Sequence, residues 1–198
     1  MTETTETTAG SPDGFGGASA EELRTLLLSR IQDVPDYPKP GVMFKDITPL
    51  LADAAAFGAL TEALAELCLR HRADKVVGLE ARGFILAAPA AVRAGIGFVP
   101  VRKAGKLPGA TLAQRYELEY GTAEIEIHAD ALEPGDRVLV IDDVLATGGT
   151  AEASLRLIRR AGARIAGVAV LLELGFLAGR DRLLGSLDSA PLEALITV

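Results

Sequence analysis

Residues 138–158 constrain the fold of this chain more than any other stretch. Val138-Leu139-Val140-Ile141 is a run of four apolar residues, three of them β-branched, and so has the pattern of a strand covered on both faces of a parallel sheet. Asp142 and Asp143 follow where that strand should end. The turn Ala146-Thr147-Gly148-Gly149-Thr150 then leads into a helical run from Ala151 to Ile158. A buried parallel strand needs helices on both sides of its sheet, and ligands of such sheets bind just outside the carboxyl ends of the strands. Two glycines let backbone N–H groups approach an anion without Cβ interference, and the next helix adds the positive end of its dipole. Thr147 and Thr150 add hydroxyl donors. The turn therefore reads as a phosphate cradle beside two acids suited to sugar hydroxyls. It has no Gly-Lys-Ser/Thr, which excludes a Walker A loop. Its glycines are adjacent, which excludes a Gly-x-Gly-x-x-Gly dinucleotide turn. Adjacent carboxylates repel one another unless a ligand, a metal or a basic group compensates them.

The chain has 198 residues, enough for one domain with a large core, and nearly half of them are hydrophobic. A net charge of −7 argues against general binding to nucleic acid or an acidic membrane. A single cysteine, Cys68, permits no internal disulfide and fits a reducing cytoplasm; its apolar helical setting makes it core filler. The longest apolar tract, 83–101, is interrupted by Pro89 and Arg93 and is too broken to span a membrane. Residues 1–18 lack the basic start and apolar centre of a signal peptide and read as a disordered tail ahead of a single domain, 19–198.

Along that domain, Ser19-Ala20-Glu21-Glu22 reads as a shortened capping box before an amphipathic helix with Leu23, Leu26, Leu27 and Ile31 on one face. The prolines of 36–41 stop regular structure, and 42–51 forms a short half-apolar segment. Residues 53–72 form a second helix with the stripe Phe57, Leu60, Leu64 and Leu67. Residues 75–79 are a buried strand, and Glu80-Ala81-Arg82-Gly83-Phe84 ends it with an arginine at a helix start, a second anion site. Another strand, 97–103, leads to a cluster of Arg102, Lys103 and Lys106, a local basic patch in an acidic chain. Residues 107–117 have weak periodicity and read as a long mobile loop, and a loop of that length is commonly a lid. Strands are expected at 123–127, 164–174 and 192–198, with a polar helix around 179–182.

The stretch 138–150 resembles the phosphoribosyl-pyrophosphate (PRPP) motif of the type I phosphoribosyltransferases. The segments 37–51, 80–84 and 106–121 are similar to those of the adenine-specific branch of that family. The resemblance runs from about residue 20 to the end. It implies an α/β fold with a central, mostly parallel twisted sheet flanked by helices, and a small N-terminal hood at about 35–51. It implies the reaction of adenine with PRPP to give AMP and pyrophosphate, with Mg²⁺ bound mainly through the substrate and no protein metal site. In that reading Ala146, Thr147, Gly148, Gly149 and Thr150 hold the 5′-phosphate, and Asp142 and Asp143 accept from ribose hydroxyls and favour developing positive charge. Arg82, Arg102, Lys103 and Lys106 face pyrophosphate, and Glu119 manages the proton on adenine. Phe44 stacks on the base, and Met43 and Lys45 read it through backbone groups; relatives often carry a small β-branched residue and an arginine at these two positions. Tyr116 and Tyr120 belong to the lid. The resemblance also implies a cis peptide at Glu80–Ala81, a homodimer, and no nucleic-acid or membrane partner. Another purine base as substrate, or a non-catalytic PRPP-sensing regulator, remain the alternatives.

Overall fold

The computed structural model of the protein describes residues 14–15, 18–118 and 121–198. The chain divides into two compact units, one ending at Ala59 and the other running Leu60–Val198. In the first, a two-residue bridge pairs β1 (Gly14–Phe15) with β2 (Ala18–Ser19), just ahead of helix α1 (Ala20–Leu28). The capping box of α1 is complete rather than shortened. Ser19 and Glu22 are three residues apart, Ser19 Oγ accepts from Glu22 N at 3.2 Å, and Glu22 Oε2 accepts from Ser19 N at 2.8 Å.

Strand β3 (Gln32–Pro35) then pairs antiparallel with β4 (Met43–Asp46). A short helix α2 (Thr48–Ala52) follows, and Asp53 accepts from the N–H groups of Ala55 and Ala56 to start helix α3 (Ala54–Arg70), which crosses into the second unit. Of the expected stripe, Leu60, Leu64 and Leu67 are buried and Phe57 is partly buried, and Cys68 is buried beside the leucines. Burial raises the Cys68 thiol to about 11, as expected of core filler.

The second unit is built on a seven-stranded sheet. Its members in chain order are β5 (Lys75–Leu79), β6 (Gly97–Lys103), β7 (Thr111–Leu118), β8 (Gly121–His128), β9 (Arg137–Leu145), β10 (Arg164–Glu173) and β11 (Leu192–Thr197). Their order across the sheet is β11-β10-β9-β5-β6-β8-β7. The five strands from β11 to β6 run parallel, and the hairpin β7–β8 closes one edge antiparallel. Helices α4 (Arg82–Ala94), α5 (Gly149–Arg160) and α6 (Gly179–Leu184) connect the parallel strands. Val138 to Ile141 are wholly buried, which confirms the two-sided covering read from their sequence.

The order places β5 and β9 side by side, while the chain leaves β5 toward β6 and leaves β9 toward β10. That is a topological switch point, where the loops after the two strands diverge and open a crevice at the carboxyl edge. Helix α4 closes tightly on this point. A Cβ on Gly83 would meet Asp142 Oδ1 at 2.8 Å and Ile141 O at 2.9 Å, so only glycine lets the helix start lie against β9.

One sequence expectation is corrected. Residues 111–117, read as part of a mobile loop, belong to edge strand β7, paired with β8 from Thr111↔His128 to Leu118↔Gly121. Leu112 and Tyr116 pack against the core, and helix α5 covers the strand, with Arg160 Nη1 donating to Ala113 O at 2.6 Å. Both faces are partly covered, so the period-two alternation that would have announced the strand is weak.

Gly83→Ala is expected to cost about 1–3 kcal/mol through overpacking against the strand end. The check is a urea midpoint that falls while the slope of the transition stays unchanged.

Candidate active site

The last residues of β9 carry the two acids. Asp143 is buried and Asp142 half-buried, and Asp142 Oδ1 accepts from Asp143 N at 2.9 Å. The compensating base is Arg82, at the start of α4, whose Nε lies 2.8 Å from Asp143 Oδ2. This contact is an ion pair rather than an aligned hydrogen bond, so Asp143 Oδ2 has no hydrogen-bond donor among the described residues. Burial pushes the Asp142 carboxyl well up, and the neighbouring Asp143 charge adds to the rise. Burial also raises Asp143, against the opposing pull of Arg82.

Beyond the acids, the Ala146–Thr150 turn meets α5. Gly148 is left-handed, with φ 78°, and occupies the N-cap of α5 with no side-chain cap. The first-turn N–H groups of a 12-residue helix are thus left without a capping side chain and point toward the turn. A cavity of about 100 Å³ lies there, lined by Asp142 and residues 144–151. At roughly 30 Å³ per water, it has room for about three waters or one compact anion. Tyr116 of β7 meets Thr150 through a 3.1 Å contact between its hydroxyl and Thr150 Oγ1.

The basic cluster is joined to this edge through Glu80. The Glu80–Ala81 peptide is cis, as the sequence resemblance implies. Glu80 Oε2 accepts from Lys103 N at 2.8 Å and lies 3.5 Å from Arg102 Nε. Arg82 therefore pairs across to β9 rather than with Glu80. Arg102 Nη1 also donates to Lys106 O at 3.1 Å. Lys103 and Lys106 are exposed.

The family described as phosphoribosyl transferase domain matches residues 48–182. The adenine phosphoribosyltransferase of Streptomyces avermitilis is 76% identical over 176 residues, which cover 89% of this chain and 97% of that protein. That of Salinispora tropica is 54% identical over 198 residues, the whole of both chains. The chain belongs to the adenine phosphoribosyltransferase family. Two crystal structures from that family are similar in fold. The Rhodothermus marinus enzyme has a TM-score of 0.82 and 50% identity, covering 90% of this chain and 99% of its own. The Saccharomyces cerevisiae enzyme, complexed with an imino-altritol bisphosphate and adenine, has a TM-score of 0.82 and 35% identity, covering 89% and 99%.

Against the residues expected of an adenine phosphoribosyltransferase, the structure brings together Arg82, Asp142, Asp143 and the 146–150 turn, with Arg102, Lys103 and Lys106 along the same strand-end edge. Met43, Phe44 and Lys45 are consecutive on β4 in the first unit. Phe44 packs edge-on against Tyr37, with centroids 5.0 Å apart, and Lys45 Nζ donates to Asp33 Oδ1 at 2.7 Å. Among the described residues β4 pairs only with β3, which leaves backbone groups on its other edge for a ligand. Glu119 and Tyr120 lie outside the described residues. No group of three or more His, Cys, Asp or Glu side chains suited to a metal occurs among the described residues.

Two supporting residues escaped the sequence reading. Glu126 on β8 is buried and accepts from Lys106 N at 3.0 Å, Leu107 N at 2.9 Å and Thr111 Oγ1 at 3.3 Å. Burial opposes its ionisation, but the backbone donors outweigh that and hold its carboxyl below the usual range. It pins the turn carrying Lys106. Its only sequence signal is an acid between Ile125 and Ile127, indistinguishable from a solvent-facing strand position. The second is Gly179, which backs the 146–150 turn: a Cβ there would fall inside contact distance of Ala146 O. Arg180 fastens that glycine in place through paired contacts to Glu173 at 2.8 and 2.5 Å.

The raised carboxyls set a pH signature. An aspartate whose folded pKa lies above its ordinary 3.8 binds more protons folded than unfolded. Its stabilising contribution is present below about 3.8 and is lost as pH rises through the folded value. Asp142→Asn keeps the Oδ1 acceptor for Asp143 N and removes the charge. It should melt above the parent at pH 7 by calorimetry, with the difference vanishing below pH 3.8.

Proposed function

We propose that this chain transfers the phosphoribosyl group of PRPP to adenine, giving AMP and pyrophosphate in a purine salvage reaction. The observation that carries the reading is the pair Asp142–Asp143 at the sheet switch point, directly ahead of a helix whose N-terminus has no side-chain cap. The adenine preference is supported by the family and by the β4 segment.

In the proposed reaction the bond from the anomeric carbon to pyrophosphate breaks and the bond to the adenine imidazole nitrogen forms. The adenine N–H proton leaves, and Glu119 is the residue assigned to it. The transition state gathers positive charge on the ribose ring and negative charge on the departing pyrophosphate. The 146–150 turn and the α5 amides hold the 5′-phosphate, fixing one end of the substrate so that the anomeric carbon is placed rather than searched for. Asp142 and Asp143 accept from the ribose hydroxyls, and their charge, formed in a buried setting, favours the oxocarbenium-like ring. Ribose hydroxyls would also supply the donor that Asp143 Oδ2 lacks. Arg82, Arg102, Lys103 and Lys106 neutralise the leaving pyrophosphate, and Phe44 stacks on the base while β4 backbone groups read its edge. Tyr120 is assigned to closure over the substrates, while Tyr116, held in β7, braces Thr150 of the turn.

The residues also fit Mg²⁺ in the form in which that ion usually meets phosphates. Two carboxylates stand at the site with no protein-only cage among the described residues, and Mg²⁺ retains waters and takes substrate oxygens. When bound, the ion would withdraw charge from the pyrophosphate oxygens. No helix among the described residues is long and apolar enough to cross a membrane. A cytoplasmic homodimer is the proposed working form, in keeping with the buried free thiol of Cys68.

The test supplies PRPP and Mg²⁺ with adenine, hypoxanthine, guanine or xanthine and follows nucleotide formation. AMP from adenine alone is expected; a nucleotide from an oxopurine instead would overturn the base assignment. Asp143→Asn should lower kcat by roughly 10²-fold or more, because it removes charge aimed at the transition state. Phe44→Ala should raise KM for adenine roughly 10-fold and leave KM for PRPP near the parent value, as loss of one base–aromatic stack predicts.

A further inference from the structure

The carboxyl edge of the sheet accounts for the substrates, yet a second cavity lies at the opposite edge. It has a volume of about 680 Å³ and is walled by the segments that enter β5, β9, β10 and β11, together with the end of α5. Five arginines line it, Arg70, Arg72, Arg137, Arg159 and Arg164, against one carboxylate, Asp188. In a chain with 27 acids and 20 lysines and arginines, a wall of five arginines to one acid is a strong local reversal of sign.

The nearby acids cancel only part of it. Asp188 is engaged by Arg159 at 2.7 Å, Glu193 by His71 at 3.1 Å, and Asp136 by Lys75 at 2.9 Å. Asp74 accepts from the backbone N–H of Arg137 at 2.8 Å. Arg137 is oriented by neutral acceptors only: its Nε donates to Arg72 O at 3.0 Å and its Nη2 to His71 O at 2.8 Å. Those bonds fix the plane of the guanidinium without neutralising it. The side chains of Arg72 and Arg164 are exposed and have no hydrogen bond or ion pair among the described residues.

Helix-end stabilisation explains part of this arrangement, since Arg70 and Arg159 sit in the last turns of α3 and α5. It does not explain Arg72, which lies in a turn, or Arg137 and Arg164, which open strands β9 and β10. The floor is apolar, with Leu187 buried and Ile165 partly buried in the core. Guanidinium forks around an apolar floor, in a volume typical of small-molecule pockets, match a ligand with several phosphates rather than a single anion.

We propose that this arginine-lined cavity binds a small molecule bearing a chain of phosphates. The site is separate from the substrate crevice, because its walls are the amino-terminal ends of strands whose carboxyl ends carry the acids and the phosphate turn. The phosphates belong either to an inorganic polyphosphate or to a nucleotide, in which case the apolar floor takes the nucleoside.

The experiment is calorimetric titration of the full chain, without Mg²⁺ and with AMP saturating the substrate crevice, using inorganic tripolyphosphate and, separately, ATP. One equivalent per chain is expected for at least one probe, with affinity that falls as salt is raised. Equal affinity for the two probes assigns the site to the phosphate chain alone, and tighter ATP assigns the floor to the nucleoside. The double variant Arg72→Gln, Arg164→Gln should weaken binding at least about tenfold, since each change removes a charged donor to phosphate. Its rate of AMP formation should equal the parent's, a readout that separates this site from the catalytic reading. No uptake of either probe, uptake unchanged in the double variant, or binding of a single-stranded RNA oligonucleotide alone would overturn the proposal.

Discussion

Two carboxylates taken out of water at adjacent positions form the interaction around which the second unit is arranged. Burial alone disfavours their charged forms, and each charge disfavours the other. Arg82 reaches across from the neighbouring strand's loop to Asp143, so the pair is held by a contact between the two elements that flank the switch point. Removing one partner of such a pair leaves an uncompensated buried charge, which is why the arrangement needs β5, β9 and the start of α4 in register. The site is thus kept at a cost in stability, as is common where perturbed carboxyls serve binding or catalysis.

Close backbone approach does the positioning. Gly83 lets α4 rest on the end of β9, and Gly148 and Gly179 let the 146–150 turn lie against the start of α6. Neither contact involves a hydrophobic side chain. Gly83 sits against the Asp142 carboxylate and the Ile141 carbonyl, whereas Gly148 and Gly179 fit main chain to main chain. The Arg180–Glu173 pair beneath it and Glu126 under the Lys106 turn extend the same logic, with buried acids satisfied by backbone or guanidinium donors holding loops that themselves lack a core.

The two edges of the sheet divide the charge. The carboxyl edge mixes acids and bases, whereas the amino edge gathers five arginines against one lining carboxylate, Asp188, which pairs with Arg159. A parallel sheet makes this possible because all strands present like ends together.

How much of this was legible beforehand follows from the range of the forces involved. Local composition determined the buried strand 138–141, the helices around Leu60–Leu67 and Ala151–Ile158, and the glycine turn between strand and helix, because apolar periodicity and adjacent glycines are read within a few residues. Resemblance across four stretches carried the family and the residues placed on it. The tertiary structure alone decided that Arg82 compensates Asp143 rather than Glu80, that 111–118 is an edge strand, and that Glu126 is buried. It also decided that Gly179 walls the turn and that five arginines share one cavity. Each of these depends on a partner distant in sequence, and a pairing of that kind leaves no local periodicity to read.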